Sequence, residues 1–317
     1  MTSPVTHTLT HSREIAAPAE VVYSLVADVT RWPVIFGPTV HVDLLERSDT
    51  GERFHIWATV NGSVRDWVSR RSFDPQAKLV EFAQERSAAP ITSMGGSWRF
   101  TDLPGGYTKV VLDHHFTVAG DDAAQAAIIK AVNTNSEKEL TALGLVAECG
   151  YVPGEIIHVF EDTVQLPGSA SDIYTFVERS DLWPKRLPHV GRVDLVETAD
   201  GVQDMEMDTV TTDGSSHTTR SVRLCFSPNK IVYKQQLPPA LLLGHSGVWE
   251  FTDGPDGAVA TSRHMVAINP AAIAPVLGAG QGIGDAQQYL RNALGANSKA
   301  TLAHAGYWAE SLAENLS

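Results

Sequence analysis

The sequence predicts an α+β protein of two tandem domains, each a curved antiparallel sheet of about seven strands around a long C-terminal helix, with an internal cavity. Three observations predict it. Landmarks recur at one fixed spacing, each copy holds a series of short strand-like runs, and each copy ends in a long segment of helical periodicity. The 317 residues also suit two domains of ordinary size. We place the domains at 1–150 and 151–317.

The repeat is the strongest of these signals, because four landmarks share a spacing of 151 residues. Solenoid repeats are much shorter than this, so each copy should fold around its own core. The paired landmarks are Tyr23 and Tyr174, Trp32-Pro33 and Trp183-Pro184, Val42–Glu46 and Val193–Glu197, and Trp98–Asp102 and Trp249–Asp253.

The element order within the first copy follows from its local patterns. His7–Ile15 alternates as a strand does, and Pro18 opens a helix. About six strand-like runs follow between Val40 and Val118, with Asn61-Gly62 as a tight hairpin signal. Asp121–Glu148 reads as the long helix. This order is that of the helix-grip architecture, whose sheet curls around the helix and leaves room for a hydrophobic ligand.

Composition excludes several classes of function. The net charge of −13, with no long Lys/Arg run, argues against binding to nucleic acid or to an anionic membrane. No apolar run approaches the length that spans a bilayer, and the N-terminus has no secretory pattern. Cys149 and Cys225 are far apart and form no disulfide framework. A cytoplasmic location is expected.

Motifs for other chemistries are also missing from the sequence. It contains no HExxH zinc motif, no nucleophile elbow and no Cys/His cluster. The stretch Gly278–Gly282 resembles a phosphate-binding loop only loosely and is interpreted as a hinge, which with Pro270 and Pro275 interrupts the approach to the last helix. We therefore expect neither a metal nor a cofactor.

Strand alternation brings the candidate site residues onto shared faces. Trp67, Ser69 and Arg71 have one parity within Ser63–Phe73 and project together. His114 lies on the apolar face of the strand that ends at Val118. An arginine among aromatic residues with no adjacent acid needs a partner, because burying an unpaired charge is costly. A ligand rich in carbonyl or enolate oxygens would provide that partner.

Each candidate also has a purely structural interpretation. An arginine on a strand is most often solvated, and a histidine on an apolar face is most often a hydrogen-bonded core residue. Trp32, Trp67 and Trp98 would ordinarily be core packing. Only the combination of these residues favours a reaction chamber.

The motifs Trp32-Pro33-Val34-Ile35-Phe36, Trp67–Arg71, Trp98-Arg99-Phe100 and His114 with Phe116 resemble those of bacterial polyketide aromatase/cyclases. The duplication makes the chain similar to the two-domain subclass, over nearly its whole length. The resemblance implies a helix-grip (Bet v 1/START-like) enzyme that folds a poly-β-ketone held by an acyl carrier protein. Such an enzyme promotes aldol closure of the first ring and its dehydration to an aromatic product, without a cofactor.

The resemblance also implies roles for individual residues. Arg71 would hold an enolate oxygen and stabilise its charge, while His114, or water held by Ser69, would move protons. Arg71→Ala is then expected to abolish regiospecific product in a folded protein. A pocket tyrosine of the family falls near Thr39, a departure from the pattern. The substrate-binding candidates are Trp32, Phe36, Trp67, Trp98 and Phe116.

The second copy matches less well. Its Ser221 and Arg223 keep the Ser-x-Arg pattern, but apolar residues on the opposite face of the strand favour an outward-pointing Arg223. Trp183, Trp249 and His264 are retained as further candidates. The first cavity is expected to be the main reaction chamber, and the second to be structural or a later dehydration site.

Two other functions fit the same fold. One is a non-catalytic carrier of a lipid or polyketide, in which His114→Ala would be silent. The other is a scaffolding subunit that tolerates changes at Arg71 and Ser69. For the enzyme, the expected partners are the carrier protein and other polyketide synthase subunits. Candidate docking residues are Lys185 and Arg186, or Arg47 and Arg53.

Overall fold

The computed structural model describes residues 5–210 and 216–314. The chain divides into a first compact unit that ends at Ile156 and a second that begins at Ile157. The predicted boundary at residue 150 lies a few residues before this division. Each unit contains a seven-stranded sheet and one long helix, which confirms the predicted fold class.

The first sheet has the strand order β1-β7-β6-β5-β4-β3-β2, with every neighbouring pair antiparallel. β1 therefore lies at one edge of the sheet, paired with the last strand, and β2 lies at the other edge. Its strands are β1 (Val5–Ile15), β2 (Thr39–Ser48), β3 (Gly51–Val60), β4 (Ser63–Asp74), β5 (Leu79–Arg86), β6 (Ile91–Leu103) and β7 (Tyr107–Val118). Its helices are α1 (Ala19–Ala27), α2 (Trp32–Ile35), α3 (Asp122–Ala147) and α4 (Pro153–Ile156).

Local sequence explains the two features that position the first site. Asn61 and Gly62 both have positive φ angles, 51° and 80°, and make the predicted hairpin between β3 and β4. Asp121 caps α3 by accepting a hydrogen bond from the Ala124 backbone N–H at 2.9 Å. The long helix therefore begins and ends close to its predicted limits.

The face that α3 buries differs from the predicted stripe in its first half. Ile128 and Ala131 are buried there, whereas Ile129 and Val132 are only partly buried. The reason is that Ile128, Ala131 and Val132 border a cavity instead of a closed core. Further along the helix, Leu140 and Leu143 are buried as expected.

The second sheet repeats this topology with the order β8-β14-β13-β12-β11-β10-β9. Its strands are β8 (Ile157–Leu166), β9 (Val190–Ala199), β10 (Val202–Val210), β11 (Ser216–Phe226), β12 (Lys230–Leu237), β13 (Leu242–Gly254) and β14 (Gly257–Ile268). Its helices are α5 (Ala170–Glu178), α6 (Trp183–Arg186), α7 (Ile273–Leu277) and α8 (Ile283–Glu314). A 3₁₀ turn at Pro270–Ala272 and the short α7 make the predicted interruption before the last helix.

Candidate active site

The first unit encloses a cavity of about 330 Å³ between its sheet and α3. Seven of the eight site residues predicted for this domain line it: Trp32, Phe36, Trp67, Ser69, Arg71, Trp98 and His114. Phe116 is the exception. It packs with Val118 and Ile128 in a buried apolar cluster.

The aromatic wall of this cavity is held by ring contacts and one hydrogen bond. Trp32 meets Phe36 edge-on with ring centroids 5.2 Å apart, and Phe36 stacks on Trp98 at 6.0 Å. The indole N–H of Trp32 donates to the Val26 carbonyl at 3.1 Å. These contacts fix the shape of the cavity before any ligand enters.

Arg71 is buried, but the prediction that it has no adjacent acid is wrong. Its Nε and Nη2 donate to Oε1 of Glu52 at 3.0 and 2.5 Å, and both side chains are fully buried. Nη1 donates to the Val26 carbonyl at 2.8 Å, and Nη2 to that of Ala27 at 2.7 Å. Glu52 stands opposite Arg71 on the neighbouring strand β3, a partner that alternation within β4 does not reveal.

These bonds occupy four of the five N–H groups of the guanidinium. Burial lowers the pKa of Arg71 to about 10, with Glu52 opposing the shift, so the group stays protonated at neutral pH. Glu52 also accepts two hydrogen bonds from Arg47, so the three groups together carry one positive charge. The guanidinium lies 4.9 Å from the Trp32 ring centroid. Arg71 thus ties β4, β3 and the end of α1 together and leaves at most one N–H for a ligand.

His114 lies on the cavity wall as predicted. Burial lowers the pKa of its imidazole to about 4, so the ring is neutral at neutral pH. Its Nδ1 is 3.5 Å from the Ser136 hydroxyl, and the Phe82 ring meets it edge-on at 5.5 Å. A neutral imidazole carries one N–H donor and one acceptor, so His114 can donate to a ketone oxygen.

Glu139 on α3 is a cavity residue that the sequence reasoning missed. Burial raises the pKa of its carboxyl to about 7, which lets it exchange a proton at neutral pH. A sequence signal existed, since Ile128, Val132, Asn135 and Glu139 follow helical spacing along the cavity-facing stripe. An acid on that stripe is unexpected unless it faces a cavity.

The second unit has its own, smaller cavity of about 150 Å³. All five predicted residues of this domain line it: Trp183, Ser221, Arg223, Trp249 and His264. The interpretation that Arg223 points outward is wrong, because only 2% of its surface is exposed. Val222 and Leu224 on the opposite face of β11 are buried too, so alternation could not tell the two faces apart.

Arg223 bonds the two helix carbonyls that correspond to those bonded by Arg71, but its side-chain partners differ in two ways. Nη2 donates to the Val177 carbonyl at 2.6 Å, and Nη1 to the Glu178 carbonyl at 3.1 Å. Nη1 also donates to the side-chain oxygen of Gln203 at 2.7 Å and to the Ser180 hydroxyl at 2.6 Å. Gln203 takes the place of Glu52, so a neutral amide replaces the carboxylate.

A chain of hydrogen-bonded side chains lines the second cavity, and sequence reasoning found only one member, His264. Nδ1 of His264 is 3.1 Å from both Nε2 of His245 and the hydroxyl of Tyr233. Nε2 of His264 is 2.9 Å from the Ser298 hydroxyl, and Nδ1 of His245 is 3.0 Å from the Gln235 side-chain oxygen. All five line the cavity.

Within residues 5–210 and 216–314, no group of three or more His, Cys, Asp or Glu side chains is arranged to hold a metal ion. No helix in this described part of the chain combines the length and apolar character needed to cross a membrane.

Comparison with known proteins adds to this geometry. A family model described as "Polyketide cyclase / dehydrase and lipid transport" matches residues 6–148. The granaticin polyketide synthase bifunctional cyclase/dehydratase of Streptomyces violaceoruber is 51% identical over 96% of this chain and 94% of its own length. The corresponding actinorhodin protein of Streptomyces coelicolor is also 51% identical, over 96% and 98%.

Two solved structures match both units of the chain. The di-domain ARO/CYC BexL of the BE-7585A biosynthetic pathway is 45% identical, with a TM-score of 0.79 over 96% of this chain and 99% of that one. The di-domain ARO/CYC StfQ of the steffimycin pathway is 37% identical, with a TM-score of 0.77 over the same shares.

Proposed function

The chain belongs to the polyketide cyclase/dehydrase family, and on that premise we propose that its first cavity closes the first ring of a poly-β-ketone. The protein then dehydrates this ring to an aromatic product. The observation that carries this proposal is an aromatic cavity of about 330 Å³ that contains both the Glu139 carboxyl and the neutral imidazole of His114. A lipid carrier needs the cavity but not a carboxyl with a pKa near neutrality.

Glu139 is the proposed general base. Its carboxylate removes a proton from a methylene carbon between two ketones, and an enolate forms. The enolate carbon attacks a ketone carbon further along the chain, making a carbon–carbon bond and an alkoxide. The protonated Glu139 then returns the proton to that alkoxide, which gives a cyclic β-hydroxy ketone and restores the carboxylate.

Donors on the opposite wall stabilise the charge that develops on oxygen. His114 and Ser69 line the cavity, and in this proposal the imidazole N–H and the serine hydroxyl bond the attacked ketone oxygen. Arg71 contributes through the net positive charge that it shares with Glu52 and Arg47, and through its remaining N–H. The aromatic wall favours one fold of a flexible chain, which is a proximity effect.

We also propose that the substrate arrives on an acyl carrier protein. Of the four candidate docking residues, Arg47 and Arg53 are bonded to Glu52 and Glu85. The Arg186 guanidinium lies over the Trp308 ring at 4.8 Å. Lys185 is exposed, which makes it the strongest of the four.

The test is reconstitution with the upstream synthase and carrier protein, comparing Glu139→Gln with Glu137→Gln. Glu137 is on the same helix but exposed, so it is the matched control. We expect Glu139→Gln to slow ring closure by at least ~10²-fold, because general base catalysis typically contributes that much. Glu137→Gln should match the wild type.

Two outcomes would count against this function. Wild-type ring closure by Glu139→Gln would remove the carboxyl from the mechanism. Tight binding of a stable polyketide analogue without turnover by the wild type, and no change in His114→Ala, would favour the carrier.

A further inference from the structure

The second cavity contains a continuous chain of polar side chains that ring closure in the first cavity does not use. It runs from Gln235 through His245 and His264 to two ends, Tyr233 and Ser298. His245, His264 and Ser298 are each less than 5% exposed. Both ends lie on the cavity lining, so a ligand inside can contact them.

The direction of each hydrogen bond follows from the inventory of donors and acceptors. The Gln235 side-chain oxygen only accepts, so Nδ1–H of His245 donates to it, and Nε2 of His245 is left as an acceptor. Nδ1–H of His264 therefore points toward His245 and Tyr233. Nε2 of His264 accepts from the Ser298 hydroxyl. The Tyr233 hydroxyl proton is then free to bond a ligand.

The chain carries no charge at neutral pH. Burial lowers the pKa of His264 to about 4 and that of His245 well below its usual value, and it raises the pKa of Tyr233. The charged groups nearest to His264 are Asp162 and Arg291, and they pair with each other. Such a chain can pass a proton from one end to the other without storing charge.

The first domain shows that the fold does not require these polar groups. In the aligned repeat, Phe82 stands where Tyr233 does, and Met94 where His245 does. Apolar residues therefore fill these positions without loss of the fold, whereas burying imidazoles costs stability. Gly247 has no side chain, and a Cβ there would collide with the Tyr233 ring. Gly96 makes the same room for Phe82 in the first domain, so the feature that core packing does not demand is the Tyr233 hydroxyl.

The size of the cavity limits the ligand. A volume of about 150 Å³ is less than half that of the first cavity, and it is comparable to cavities that hold one benzene-sized ring. A ring that has already closed fits there, while a folded linear chain does not.

We propose that the second cavity is a separate dehydration site, in which Ser298, His264 and Tyr233 relay a proton to remove water from a cyclic β-hydroxy ketone. This inference rests on the proposed function only for the origin of that substrate. Gln235 and His245 are positioning residues that fix the tautomer of His264.

The relay conserves every proton, and one return step resets His264. Ser298 Oγ takes the proton from the carbon next to the ketone while its own proton passes to Nε2 of His264. Nδ1–H of His264 passes its proton to the Tyr233 oxygen as the Tyr233 hydroxyl proton goes to the leaving hydroxyl. The carbon–oxygen bond breaks, a carbon–carbon double bond forms, and water leaves. The Ser298 and Tyr233 hydroxyls are then restored, and His264 carries its proton on Nε2 instead of Nδ1. A water molecule that takes the proton from Nε2 and gives one to Nδ1 after product release restores the starting tautomer.

The test is the dehydration rate of a synthetic monocyclic β-hydroxy ketone with the whole protein, which bypasses ring closure. We expect Tyr233→Phe and Ser298→Ala each to slow dehydration by ~10²-fold or more. Tyr307→Phe, on the exposed side of α8, is the matched control and should match the wild type. His245→Gln keeps an acceptor for Nδ1–H of His264 and should retain more activity than His245→Met.

With the full synthase, Tyr233→Phe should accumulate the closed, hydrated ring, whereas Glu139→Gln should accumulate unclosed chain. These two products separate a failure of this site from a failure of the first. Wild-type dehydration by both Tyr233→Phe and Ser298→Ala would overturn the relay. Equal rates for His245→Gln and His245→Met would remove the positioning role. If Tyr233→Phe does not fold, the dehydration rate of Ser298→Ala alone tests the relay.

Discussion

The two cavities keep the same structural frame and differ in what lines it. In each, a buried arginine bonds the last two carbonyls of a helix, Arg71 those of α1 and Arg223 those of α5. Glu139 lines the first cavity three residues after Ser136, which bonds His114, and Thr301 lines the second cavity three residues after Ser298, which bonds His264. The second adds Tyr233 and His245. The frame therefore maintains the fold, while the lining determines the chemistry.

The comparison also changes the interpretation of the arginine that the sequence singles out. A group present in both cavities with most of its N–H groups bonded internally cannot by itself explain what distinguishes them. The groups that differ are the carboxyl of the first cavity and the imidazole–phenol chain of the second. Each can move a proton, and each sits in a cavity of a different size.

The largest effect is expected for Arg71→Ala. Removing the guanidinium leaves Glu52 as a buried carboxylate without it, and breaking a buried pair typically costs about 3–5 kcal/mol. Arg223→Ala should cost less, because the Gln203 side chain it leaves is neutral. Urea denaturation of both variants measures the difference in the free energy of unfolding. The structure thus replaces the expectation that Arg71→Ala leaves the fold intact.

Glu52→Gln sharpens this comparison, because it pairs Arg71 with a neutral amide, as Gln203 pairs with Arg223 in the second domain. If the carboxylate is the costly group, Arg71→Ala in the Glu52→Gln background should lose only about as much as Arg223→Ala. An equal loss with and without the carboxylate would mean that the helix carbonyls, and not Glu52, dominate the energy of this contact.

A smaller effect, dependent on pH, is expected for Glu139. Its pKa is about 7 in the folded protein and has the ordinary value of about 4.5 when unfolded, so the folded state binds more protons between these values. Its contribution to stability is present below pH 4.5 and is lost as the pH rises through 7. Glu139→Gln should match the wild type at pH 4.5 and exceed it by about 1–3 kcal/mol at pH 8.

Thermal unfolding at both pH values measures this effect, with Glu137→Gln as the control. A constant difference between Glu139→Gln and the wild type across this range would contradict the raised pKa. The second domain should show no such pH-dependent contribution from this helix position, because Thr301 does not titrate.

Most of the fold could be predicted from the sequence, because repeats and turns are local signals. Asn61-Gly62 and Asp121 set their elements through their own backbone preferences and hydrogen bonds. Because the landmarks recur 151 residues later, the same elements are predicted for the second copy. The exception is β11, for which the sequence did not reveal which face points into the cavity. A strand buried on both faces has no polar side to mark its orientation.

Within the site, alternation found the residues of single strands but not their partners. Trp67, Ser69 and Arg71 project together as expected, whereas Glu52 faces Arg71 from another strand. Glu139 lies on a helix and reaches the cavity only after the helix has packed. A repeat is recognised by the residues that its two copies share, so it gives no signal at positions that differ, such as Phe82 and Tyr233.

The smallest effect is expected for Arg192→Ala, although Arg192 contacts three acids, Asp194, Glu206 and Asp208. The first domain has His41 with Asp43 at this place in the repeat. Arg192 is on the surface, where water screens its charge and ordering a long side chain costs entropy. The urea midpoint of Arg192→Ala should therefore stay close to that of the wild type. A fall as large as that of Arg71→Ala would show that the number of charged partners, and not their burial, governs stability in these two domains.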